Sequence, residues 1–274
     1  MNSTTSNART LLTMAGIGVV AVFGTLGCYG SPDAEPDAQA AAGTEAAVDP
    51  AKNTLTPEEE AAGWVLLFDG TSTDGWRGWN QETFPQSGWD VNGGDLVVFA
   101  SDGSEAGLGG DIVSEAVFSD FELVFDFQVS PVGNSGVFYR VVEHEGLDLW
   151  QVAPEYQVLD DTAYIEMGTM DMNTHLTGDN YDLHASAMTA SNPIGEWNHA
   201  RIVVDGPRVE HWLNGQMTVS YEFWSPEWEA LVAASKFEPY PQYGRATEGR
   251  IGIQDHGHEI RYKNIKARPL TEGE

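Results

Sequence analysis

The chain of 274 residues has a single cysteine, Cys28. No internal disulfide can form, so the fold must be held by its core alone. Basic side chains are also scarce: 13 Lys and Arg stand against 42 Asp and Glu, a formal net charge of −29. Nucleic-acid binding is driven by Lys and Arg neutralising phosphates, so this balance excludes it as a partner class. Internal repeats, a P-loop and a dinucleotide fingerprint are all missing. The acidity itself fits solvation in an extracytoplasmic or saline setting.

The one apolar run lies at the front. Arg9 supplies a positive n-region, and Leu11 to Leu26 is rich in small apolar residues. It is short for a spanning helix and has the character of a secretory h-region. It ends in Thr25-Leu26-Gly27-Cys28, which resembles a bacterial lipobox, with Cys28 as the lipidated residue. The alternative is an ordinary signal peptide with an incidental cysteine. Residues 29 to 54 are mostly Ala, Asp, Glu, Pro, Gly and Ser, too poor in large apolar groups to offset their ordering entropy. The expectation is a signal peptide over 1–27, a disordered tether over 28–54 and one β domain over 55–270. The protein would then sit outside the cytoplasm, lipid-anchored to a bacterial membrane.

Within the body the aromatic content is high, with 9 Trp and 9 Tyr. Such residues build a core, and they also suit stacking on sugar rings. Thr56-Pro57-Glu58-Glu59 has the form of a capped helix start that Gly63 soon ends. Trp64 to Phe68 reads as a strand, and Trp89-Asp90-Val91 with Leu96 to Phe99 as a hairpin about Asn92-Gly93-Gly94. Phe121, Leu123, Phe125, Phe127 and Val129 share one face of a strand whose other face, with Glu122, Asp126 and Gln128, can line a groove or meet water. Gly136 to Val142 and Tyr156 to Leu159 are further strands. Trp197–Val204, Arg208–Leu213 and Gln216–Phe223 form a meander turned at Asp205-Gly206-Pro207 and Asn214-Gly215. A helix begins at Ser225 with Pro226 at its first position and a Trp228, Leu231, Val232 stripe. Arg250 to Tyr262, apolar on alternate positions either side of Asp255-His256-Gly257-His258, reads as a closing β-hairpin. The fold class is all-β, a sandwich.

Several segments together resemble the 3-keto-disaccharide hydrolase family. They are Ala62 to Gly70 with Gly75-Trp76, Asn134 to Arg140, Pro154 to Asp160, Gly195 to Asn198, Trp212 to Gly215 and Ile251 to Gly257. The resemblance runs from Leu55 to Leu270 with the motifs in family order. It implies a concanavalin A-like jelly roll whose concave face binds carbohydrate. It also implies chemistry on sugars oxidised at C3: the ketone acidifies the C2 proton, a base removes it, the C1 substituent leaves, and water adds back. That chemistry needs a base, an enolate stabiliser and a proton donor. A non-catalytic carbohydrate-binding domain is the alternative.

Candidate catalytic residues are Glu155, His256, Asp255 and Arg140. Glu155 and Gln157 alternate on one strand face, away from Tyr156 and Val158. His256 can act as acid or base near neutral pH, with Asp255 to orient it. Arg140 can hold the ketone or its enolate, or form a groove-floor ion pair with Glu155 or Asp160. Asn134, Gln157, Asp160, Tyr181, His184 and Trp76 are candidate substrate contacts, with Trp79 a second stacking ring. Tyr181 and His184 lie in a long irregular stretch from Asp160 to Pro193, of the kind that covers grooves. His199 and His211 read as ordinary surface or core residues, Trp197 and Trp212 as core, and His258 as a neighbour. A divalent metal ion could be held by Glu155, His256 and Asp255, although no fixed-spacing signature demands one.

Overall fold

A computed structural model describes residues 52–101, 107–186 and 190–271. Cys28 and the signal and tether expectations, apart from residues 52–54, lie outside the described residues. Helix α1 (Pro57–Ala61) opens with the capping box as read: Thr56 Oγ1 accepts from Glu59 N, and Glu59 accepts from Thr56 N. Ordered structure begins before residue 55. Asn53 is buried, donates to Gly94 O at 2.7 Å, and exchanges two hydrogen bonds with Asn264.

The strands are β1 (Val65–Leu66), β2 (Trp76–Gly78), β3 (Trp89–Asn92), β4 (Asp95–Val98), β5 (Ile112–Ser114), β6 (Phe121–Val129) and β7 (Asn134–Val141). After them come β8 (Glu155–Leu159), α2 (Asp161–Met167), β9 (Trp197–Asp205), β10 (Arg208–Leu213), β11 (Gln216–Glu222), α3 (Pro226–Ala234), β12 (Arg250–Ile253) and β13 (Ile260–Pro269). An 8-stranded sheet runs β11-β10-β9-β6-β13-β4-β3, with β1 also on β13, and a 5-stranded sheet runs β2-β5-β12-β7-β8. The pairings are antiparallel, and the whole is a concanavalin A-like jelly-roll sandwich.

The core lies between the sheets. Phe121, Leu123, Phe125 and Phe127 point inward from the large sheet to meet Val137, Tyr139, Tyr156, Val158, Ile251 and Ile253 of the small one. Their period-2 spacing is why each strand has a packed and an outer face. On the outer face of the large sheet Glu122 pairs with Arg201 and Arg268, and Asp126 with His199 and Asn264. Asn214 and Gly215 both take positive φ, 49° and 79°, as a type I′ turn requires.

Three expectations change. Arg250 to Tyr262 is not a hairpin: β12 belongs to the small sheet, between β5 and β7, and β13 to the large one, between β6 and β4. Alternation on both sides of a glycine turn fits a sheet-crossing link as well as a hairpin, because both bury one face. Trp197 and Trp212 are not core. Both are partly exposed, under Lys263 at 3.9 Å and Arg201 at 5.3 Å respectively. Within the irregular stretch after residue 160, α2 forms because Asp160 accepts from Ala163 N, and it ends at Gly168 with φ 61°.

Candidate functional site

The outer face of the small sheet carries a narrow pocket enclosing about 30 Å³. Its floor is Asn134 at the start of β7, Glu155 and Gln157 on β8, and Gln254 and His256 following β12. Trp150, Tyr181 and Lys236 form its walls. Alternation explains the floor. Tyr156 and Val158 enter the core, so Glu155 and Gln157 face out, and both are nonetheless buried. On β12, Ile251 and Ile253 face in, while Gly252 lies under Leu149 on the outside. Glycine at 136 makes room for the carboxylate, since a Cβ there would lie 2.0 Å from Glu155 Oε1.

The walls come from three connections. The loop before β8 makes a short 3-10 turn at Leu149–Gln151, which stands Trp150 edge-on to Tyr240 at 5.5 Å. The segment after α2 runs along the free edge of β8: Gln157 N donates to Asp179 O, Gly178 N to Gln157 O, and Tyr181 N to Glu155 O. This both covers an exposed edge and fixes Tyr181 beside the carboxylate. His175 stands edge-on to Tyr181 at 4.5 Å, with its pKa lowered, first by burial. Lys236, just past α3, lays its ammonium 4.2 Å from the Tyr181 ring centre and 4.5 Å from that of Trp150. Rings placed so attract a cation through their quadrupole and hold it at the rim. Below, Tyr262 OH donates to Ser135 Oγ and Ser135 Oγ to Gln254 O, both at 2.7 Å, anchoring the Gln254 backbone.

Of the candidates drawn from the sequence, Glu155, His256, Asn134, Gln157 and Tyr181 come together here. Asp255 does not. It turns the opposite way from His256, and its carboxylate accepts from Gly109 N at 2.8 Å and Gly257 N at 3.0 Å. It braces the loop that carries His256 rather than orienting the imidazole. His258 stacks on His256 with ring centres 5.8 Å apart, and burial, then the neighbouring imidazole, lowers its pKa.

Arg140 is at the other end of β7, paired with Asp120 at 2.9 Å and not with Glu155 or Asp160. Asp160 is spent on backbone amides, accepting from Val132 N and Ala163 N. His184 stacks on Tyr221 at 4.5 Å and accepts from Asn180 Nδ2, its pKa pushed down to about 4 by burial. Trp76 is core and donates to Leu67 O. Trp79 packs beside Leu147, whose carbonyl it caps. Sequence reasoning missed Lys236, Trp150 and Gln254. Gln254 was recoverable, because it shares parity with His256 on a strand whose other parity is apolar. Lys236 and Trp150 sit in connections without periodicity, and only the tertiary fold brings them to β8.

Among the described residues, no three His, Cys, Asp or Glu side chains converge as a metal-binding group. What does converge is one carboxylate, one imidazole, one ammonium and three side-chain amides beside two aromatic rings. Such a set can move protons and hold a polar, ring-faced ligand.

Residues 63–268 match the profile of the 3-keto-alpha-glucoside-1,2-lyase-like domain. The chain belongs to this family. A 3-keto-disaccharide hydrolase of Bacteroides thetaiotaomicron is 34% identical over 232 residues, 77% of this chain and 80% of that protein. A crystal structure of a provisionally assigned glycosyl hydrolase from Parabacteroides distasonis is 33% identical, with a TM-score of 0.72, over 80% of this chain and all of the other. A second structure so assigned from that organism shares the fold, at 24% identity and a TM-score of 0.55, over 76% of this chain and 99% of the other. Membership of the 1,2-lyase-like family thus rests on most of the domain, and the pocket on β7, β8 and β12 lies within the matched residues.

Proposed function

We propose that this protein cleaves 3-keto-glycosides by elimination and rehydration at the pocket around Glu155. The observation that carries the reading is that Glu155, His256 and Lys236, a base, an acid and a cation, line one pocket. The family's name, a 1,2-lyase acting on a 3-keto-glucoside, and the activity in the name of the Bacteroides relative support the same chemistry.

In this mechanism Glu155 takes the C2 proton. The C–H electrons form an enolate whose charge rests on the C3 oxygen, and Lys236 stabilises that oxygen. The enolate collapses back to the ketone and expels the C1 oxygen, which takes its proton from His256. A C1=C2 double bond remains. Water then adds its hydroxyl to C1 and a proton returns to C2, giving the free 3-keto sugar and a net hydrolysis. The pocket volume of about 30 Å³ admits a reacting edge of the sugar rather than a whole ring.

Incubating the protein with a 3-keto-disaccharide in D₂O tests this. The expected product is 3-keto-glucose carrying deuterium at C2. Turnover without deuterium there would point to direct displacement, and absence of turnover with retained binding would favour a lectin. The same reading puts the domain outside the cytoplasm on a Cys28 lipid anchor, and Cys28→Ser should release it from the membrane fraction.

A further inference from the structure

Gln157 is fixed on β8 from both sides. At the covered edge Gln157 N donates to Asp179 O at 3.1 Å and Gly178 N to Gln157 O at 2.9 Å. Its cross-strand partner on β7 is Gly136, which has no side chain to lie over it. The residue is 1% exposed, and it lines the pocket beside Glu155.

The amide has one orientation. Gln157 Oε1 accepts from Val158 N at 3.0 Å. The reverse orientation would set an NH2 group against that N–H, donor against donor, so the network fixes which atom is the oxygen. The nitrogen is therefore the end that Gln157 offers to the pocket. Among the described residues Nε2 has no acceptor, and it is not sealed from solvent. Asn134 differs, because its amide is hydrogen-bonded to the Tyr164 hydroxyl.

We infer that Gln157 Nε2 recognises the C3 ketone of the substrate and sets the preference for an oxidised sugar; this rests on the elimination reading above. A ketone oxygen only accepts hydrogen bonds, whereas a hydroxyl both accepts and donates. Gln157 Nε2 and the Lys236 ammonium are donors only, and two donors match the two lone pairs of one carbonyl oxygen. A C3 hydroxyl put there brings a hydrogen that neither can accept. Glu155 and Gln157 share a strand face with Cα atoms about 6.6 Å apart, which leaves room for the C2–C3=O edge between base and donor. As the C2 proton leaves, charge gathers on the C3 oxygen, and the bond from Nε2 becomes charge-assisted and stronger.

The test is calorimetric titration of Glu155→Gln, held from turnover, with maltose and with its 3-keto derivative. The keto sugar should bind about tenfold or more tighter. Adding Gln157→Met should remove that preference, weakening the keto sugar about tenfold and maltose by less than about twofold. Gln157→Glu, which keeps Oε1 and turns the donor into an acceptor, should do the same. In the otherwise unaltered protein Gln157→Met should lower kcat on the keto sugar by about 10²-fold, more than it weakens binding. A keto preference unchanged in both variants, or equal weakening of the two sugars, overturns the assignment even where the protein cleaves 3-keto-maltose. A preference that depends on Gln157 in a protein without turnover keeps the assignment and overturns the elimination reading.

Discussion

Gly136→Ala is the sharpest perturbation of the pocket. The added methyl would meet Glu155 Oε1 at 2.0 Å and Cδ at 2.6 Å, where ordinary contact begins at 3.4 Å. The carboxylate must therefore retreat by about 1.4 Å, the difference between those two distances. Glu155 Cγ would also lie 2.6 Å away, so the side chain must turn from Cγ outward. Gly136 is a strand residue without positive φ, so the alanine backbone itself is unstrained. A glycine-to-alanine change inside a strand, taken alone, favours folding by roughly 0.5–1 kcal/mol through the unfolded chain. The fold should hold while the base moves. Misplacing a catalytic group by about 1 Å can cost on the order of 10²-fold in rate, or about 2.7 kcal/mol of transition-state stabilisation. Steady-state release of 3-keto-glucose should thus fall about 100-fold in kcat, with the thermal midpoint within a few degrees of the parent. A folded Gly136→Ala variant with parental kcat would refute the role given to Glu155.

Lys236→Gln should lower kcat by roughly 10²–10³-fold, as removal of an oxyanion donor does, and Lys236→Arg should restore part of it. Equal loss in both would mean the ammonium acts only as a wall. Asp255→Ala leaves the Gly109 and Gly257 amides without their acceptor and should cost roughly 3 kcal/mol or more, read as a lower urea midpoint. A change under about 1 kcal/mol would contradict the bracing role. Stability should also fall as pH drops from 6.5 toward 4. Burial pushes His211 down to about 3 and His184 down to about 4, so the unfolded chain takes up these two protons first. Asp179, raised by burial to about 6, and Asp161, also raised by burial, work the other way, while His175 and His258, both lowered by burial, add to the loss. A net loss of roughly 2 kcal/mol between pH 6.5 and 4.5 is expected from urea melts, and a flat profile would sink it.

Strand identity was legible wherever one face is buried. β6, β8 and the β9–β11 meander announce themselves by alternation, and the same alternation exposes Glu155 and Gln157 on one side. Capping signals at Thr56 and Ser225 are local chemistry and were read directly. What alternation cannot carry is partner choice. β12 and β13 alternate alike, yet they enter different sheets. Family motifs are also silent on which residues meet. Arg140 stands in the same motif as Asn134, but about 20 Å of extended strand separates six residues, so the two serve different ends of the sheet. Asp255, beside His256 in sequence, turns to the other side of the chain. Lys236 reaches the pocket because α3 and the turn after it meet the segment that covers the β8 edge, Trp228 stacking on His184 and Lys236 N donating to Asp182.

The crossing between β12 and β13 makes residues 250–269 decisive for how this fold assembles. β12 fills the middle of one sheet and β13 the middle of the other. Until both have left the ribosome, β5 has no bridge to β7, β6 has none to β4, and His256 is absent. Long-range strand pairing of this kind folds slowly. Neither sheet can therefore close before residues 250–269 are available, and a copy truncated before residue 250 would lack an inner strand of each sheet.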